Sequence, residues 1–168
     1  MRQTCAEVVH LRSAGVSLLL AADARGNPIV VHWGAALHDA DVAGLLETST
    51  PALLNSSTDS PRSFPLLPTR LDAWSGTPGA EWMVDGRVGV FHPRGVETSG
   101  NQAAFNFSTS KDSAELTIQF HLDDAGVLHA TATLHNHAER LLDVAALRLL
   151  LPLPRRAADI LDFTGRWS

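Results

Sequence analysis

Hydrophobic and polar residues alternate most clearly in the second half of the chain. In Ala114–Leu122 the residues Leu116, Ile118, Phe120 and Leu122 are interleaved with Glu115, Thr117, Gln119 and His121, the period of two that marks a strand with one buried face. Residues 127–134 alternate in the same way, and Asp123, Asp124, Ala125 and Gly126 between them supply turn chemistry. Pairing Phe120 with Ala130 and His121 with His129 keeps each face uniform, so the two segments form an antiparallel hairpin. That register points Leu116, Ile118, Phe120, Leu128, Ala130 and Leu134 into a core. Further strands are expected over 15–22, 29–34, 87–91 and 103–108, and residues 141–151 read as one long apolar strand after a turn at 136–140.

Only residues 39–47 have a helical pattern, and that window is short. Many short strands separated by turn residues predict an all-β, antiparallel sandwich. The middle of the chain departs from this pattern. Residues 48–86 hold five of the nine prolines, at 51, 61, 65, 68 and 78, together with Trp74 and Trp82. A loop of that length in a small domain is expected to be a functional excursion from the sandwich.

Composition narrows the partners. With 168 residues, 45% hydrophobic and 18% charged, the chain can bury a core of its own, and a net charge of −5 offers no basic stripe for nucleic acid. The single cysteine, Cys5, excludes an internal disulfide and cysteine-based zinc spacings. Residues 13–22 resemble the apolar part of a secretory signal, but Glu7 and His10 precede them and 23–28 turn directly into the next strand, so a hairpin and a cytoplasmic location are expected, with secretion the weaker alternative. Nothing approaches the roughly 20 apolar residues of a membrane span.

Chemical motifs are sparse. Phosphate-binding loops, dinucleotide glycine patterns and nucleophile elbows are absent. His129, His135 and His137 share one strand parity and would bring three imidazoles together, but Thr131 and Thr133 on that face give it the composition of a solvated surface, and no metal or other cofactor is expected. Asp123 and Asp124 suit a tight turn, and Asp159 and Asp162 precede the terminus; neither pair is assigned a catalytic role. Trp74 and Trp82 offer flat apolar faces to a sugar or a partner, or else anchor their loop to the sheet.

The chain finishes on Phe163, Arg166 and Trp167 within "DILDFTGRWS", residues that usually seek a packing partner. The run "LRLLLPLPRRAADILDFTGRWS" over 147–168 resembles the junction between the amino-terminal sandwich and the catalytic barrel of glycoside hydrolase family 36, the α-galactosidases. "LDDAGVLHATATLHN" is similar to the family's late sandwich strands and "LDAWSGTPG" to its central loop, so the likeness runs collinearly along most of the chain. The resemblance implies a supersandwich-like domain over 1–160 and, from 161–168, the start of a linker into a (β/α)8 barrel. The barrel carries the family's catalytic aspartates, so no catalytic residue is expected in these residues.

On the same resemblance, Phe163, Arg166 and Trp167 pack against the barrel, and Trp74 lies at the edge of a galactoside pocket at a subunit boundary, in a possible homo-oligomer. The complete relative would hydrolyse terminal α-galactosides. A free-standing carbohydrate-binding sandwich, with Trp74 and Trp82 as its stacking platform, is the alternative.

Overall fold

The computed structural model describes residues 8–23, 25–49, 64–72, 74–84, 87–109, 113–153, 157–159 and 161. Ten strands occur among them. The first sheet contains β1 (Val8–Ser13), β2 (Val16–Ala22) and β3 (Pro28–Ala35) in that order. The second is β10 (Asp143–Leu147), β4 (Ala80–Val84) and β5 (Arg87–Val88), with β4 central. The third is a four-stranded meander of β6 (Phe91–Ser99), β7 (Gln102–Thr109), β8 (Ala114–Leu122) and β9 (Leu128–Asn136). All pairings are antiparallel, as the alternation required.

The core lies between the first and third sheets. Val9, Leu11, Leu18 and Leu20 from one side meet Phe105, Phe107, Leu116, Ile118, Phe120 and Leu122 from the other, and Phe105 and Phe120 make an edge-to-face contact at 6.0 Å. Phe120 pairs with Ala130 and His121 with His129, the register that the polar pattern dictated. Leu128, Ala130 and Leu134 pack against this core while staying partly exposed, because β9 is the edge of its sheet.

Two hairpins turn by the same chemistry. In the β2–β3 turn the Asp23 carboxylate accepts bonds from the Arg25 and Asn27 amides, both at 2.8 Å, and Gly26 adopts φ 80°. In the β8–β9 turn Asp123 accepts from the Ala125 and Val127 amides at 2.9 and 2.8 Å, and Gly126 also has φ 80°. An aspartate that satisfies the loop amides, followed three residues later by a glycine that supplies the left-handed step, closes each loop.

Four expectations change. Val8–Ser13 forms a strand that its short pattern did not announce; Val9 and Leu11 enter the core while His10 and Arg12 face away. Residues 87–91 are not one strand, because the chain leaves the second sheet after Val88 and enters the third at Phe91. Residues 141–151 are not one long strand either: only Asp143–Leu147 pairs with β4, across a bulge between Val144 and Ala146. Beyond it, Arg148 and Leu150 donate backbone bonds to Gly79 and Leu66 of the central loop, so Leu149 and Leu151 pack at the rim of the core without extending the ladder. The helix α1 (Asp39–Ser49) is present, two residues longer than its pattern suggested, and buries none of its residues.

Candidate functional site

The long central loop is stitched to the sandwich. Leu66 is fully buried within the main core. Pro68 carbonyl accepts bonds from the Gly79 and Ala80 amides at 2.8 and 3.2 Å, so the ends of the excursion 68–79 are held side by side. At its tip, a single 3-10 turn spans Arg70–Asp72, and Asp72 accepts from the Thr69 amide and hydroxyl at 2.8 and 2.7 Å. Arg25 reaches across from the β2–β3 turn to Asp72 at 2.8 Å, and Arg70 pairs with Glu81 at 2.7 Å.

Trp74 sits on this excursion. Its indole N–H donates to the Thr77 carbonyl at 3.0 Å, and its ring meets Phe64 edge-on at 5.4 Å. The indole also lies over Gly76, where a Cβ would come within 2.7 Å of the ring nitrogen; the small residue lets the loop fold flat against the ring. Trp74 is half-buried: it braces the loop on one side and keeps part of its surface available on the other.

Trp82 has a different role. It lies on β4, is 3% exposed, and packs against Phe91 with ring centroids 4.3 Å apart and 43° between the ring planes. Its ring nitrogen is buried with no hydrogen-bond partner among the described residues, and it abuts Gly89, where a Cβ would fall 1.6 Å away. Trp82 thus anchors its stretch to the sheet, and the alternative of a stacking platform shared with Trp74 fails for it: a core indole has no face to offer. A cavity of about 140 Å³ adjoins it, floored by Phe91, Phe107 and Ile118 and rimmed by the Arg25–Asp72 pair. A larger depression, of about 480 Å³, lies on the solvent face of the four-stranded sheet. Trp74 lines neither.

Four of the eight histidines gather in two pairs. His121 and His129 stack at 5.7 Å, and His135 and His137 stack at 4.4 Å. His129 bonds to Asp123 at 3.1 Å and His137 lies 3.0 Å from Glu115. Among the described residues no group of three histidine, cysteine, aspartate or glutamate side chains is arranged to hold a metal. The Asp123 carboxyl is held below the ordinary carboxylate range, first by the bond from His129 and then by the Val127 amide; its lone pairs serve the turn. Asp124 and Asp159 are exposed. Phe163, Arg166, Trp167 and Asp162 lie outside the described residues. Upstream of them, Leu141, Leu153 and Leu161 are 97%, 59% and 78% exposed.

The family described as the Glycosyl hydrolase family 36 N-terminal domain matches residues 26–168. No curated protein matches the chain significantly. Among solved structures, the fold is similar to the family 36 α-galactosidase AgaA from Geobacillus stearothermophilus, at 17% identity and a TM-score of 0.64. An AgaA variant in complex with raffinose gives 16% and 0.64, and AgaB from the same organism gives 15% and 0.58. Each comparison covers 84% of this chain and 24% of the other. The chain thus spans about a quarter of the length of those proteins, and the likeness at this identity is one of fold.

Proposed function

The chain belongs to the glycosyl hydrolase family 36 N-terminal domain, and from that premise we propose that it is the non-catalytic sandwich of an α-galactosidase-like hydrolase. It supports a catalytic barrel, takes part in oligomer formation, and contributes Trp74 to the edge of the sugar pocket. The observation that carries this reading is the family match over 26–168, with 84% of the chain superposing on 24% of α-galactosidase chains. The exposed Leu141, Leu153 and Leu161 also support it, since uncovered leucines suit a surface that another domain covers. A cytoplasmic location belongs to the same proposal.

The test compares the 168 residues alone with a version that continues into a barrel. The longer protein is expected to release galactose from α-galactosides and the shorter one is not; equal activity in both would overturn the assignment. In the longer protein Trp167→Ala should lower the melting temperature by weakening the domain contact. Trp74→Ala should instead raise KM for raffinose with a smaller thermal effect, because its ring braces only the local loop. If both changes act on stability alone, Trp74 has no place at a sugar pocket.

A further inference from the structure

The depression over the four-stranded sheet is built from two rows of outward-facing residues that cross all four strands. One row, in register, is Glu97, Ala104, Gln119 and Thr131; the next is Ser99, Gln102, His121 and His129. Cross-strand neighbours on one face lie within side-chain reach of each other. Ala104 sits second in its row, flanked by Glu97 and Gln119, so the short methyl creates a hollow between longer side chains. The volume of about 480 Å³ falls within the range of small-ligand sites.

Two of the groups around the hollow are held by neighbours. Glu97 accepts from the Asn106 amide at 3.3 Å, and Asn106 is itself held by the Thr117 hydroxyl at 3.1 Å. His129 is held by Asp123 at 3.1 Å and lies nearly parallel to His121, with 27° between the rings. Two carboxamides, one carboxylate, hydroxyls and a flat imidazole pair therefore surround the hollow, and its lining contains no lysine or arginine. Such a set does not suit an anion. It suits a neutral ligand rich in hydroxyls, which both donate to and accept from amides and carboxylates, and whose C–H face can rest on the apolar body of an imidazole.

We propose that this hollow is a saccharide-binding surface, with Gln102, Gln119 and Glu97 bonding sugar hydroxyls and the His121–His129 pair forming the platform. The choice of saccharide rests on the glycoside hydrolase reading given above; the hollow and its chemistry do not.

The test is a heteronuclear NMR titration of the 168-residue chain with raffinose. Shifts should concentrate at the side-chain amides of Gln102 and Gln119 and the rings of His121 and His129, saturating with a roughly millimolar Kd. Gln119→Ala and His121→Ala should each weaken binding by about tenfold, the effect of losing one good contact. Ala104→Phe, which fills the hollow, should abolish binding. Thr133→Ala, on the same face but outside the hollow, should leave the affinity unchanged.

The proposal is overturned if those resonances stay still at saturating raffinose, or if Gln119→Ala binds like the parent. Should Ala104→Phe fail to fold, the exposed Gln119→Ala still decides the matter. Shifts confined to Trp74 would overturn the hollow while favouring the sugar-edge role of that residue. Loss of the barrel-dependent activity expected above, with the hollow still binding, would sink the hydrolase reading alone.

Discussion

His10 illustrates how one side chain can couple this fold to pH. It projects from β1 away from the core, bonds to the hydroxyl of the fully buried Ser17 at 3.0 Å, and is 12% exposed. Burial lowers its pKa below the ordinary 6.5, Arg12 and His32 lower it further, and Asp39 opposes them. The unfolded chain therefore binds a proton more readily than the native one, so stability is complete above 6.5 and declines as pH falls below it. Urea midpoints measured across that range should fall in the parent and fall less in His10→Gln. A second residue makes a backbone prediction. Ala14 and Gly15 form the two-residue β1–β2 turn with φ 47° and 77°, the mirror-image turn that hairpins favour. Alanine is strained there, by about 1–2 kcal/mol in the left-handed region, of which the looser unfolded glycine chain returns a part. Ala14→Gly should therefore stabilise the protein by up to about 1 kcal/mol in chemical denaturation.

Among the elements, the β8–β9 hairpin is the one whose details were legible beforehand. Its strict alternation permits a single register, since a slip of one residue would send Leu116, Ile118 and Phe120 into water. Phe120→Ala should cost about 3–5 kcal/mol, because a 1%-exposed ring in contact with Phe105 leaves a cavity. Thr131→Ala, on the opposite face, should stay within about 0.5 kcal/mol of the parent. Comparable losses would mean that the faces are reversed. Residues 141–151 show why the same reasoning failed elsewhere. A mostly apolar run, interrupted only by Asp143 and Arg148, carries no clear parity, and its leucines are explained equally well by a ladder strand or by irregular chain packed at the core rim. The observed hydrogen bonds from Arg148 and Leu150 to Gly79 and Leu66 depend on a loop 69 to 84 residues earlier in the sequence, and no local pattern reports such a partner.

For the whole molecule, Leu66 joins the central loop to the main core and to the chain after β10. It is fully buried, and its carbonyl accepts from the Leu150 amide at 2.8 Å. Leu66→Ala should cost about 2–5 kcal/mol, and hydrogen exchange should then quicken at the Gly79, Arg148 and Leu150 amides before it does in β8. Uniform loss of protection would show that loop and sandwich open as one unit. By itself the sequence determined the strand class, the faces of β8 and β9, both aspartate–glycine turns and the family likeness, because each is set by neighbours a few residues apart or by collinear motifs. Tertiary structure decided the rest. Trp74 and Trp82 stand eight residues apart in the same proline-bearing stretch, yet one braces a loop tip and the other packs against Phe91 in the interior. The hollow over β6–β9 likewise exists only because pairing aligns Ala104 with Glu97 and Gln119. Burial and concavity arise from which distant segments meet, and local periodicity reports the face of a residue but not what lies opposite it.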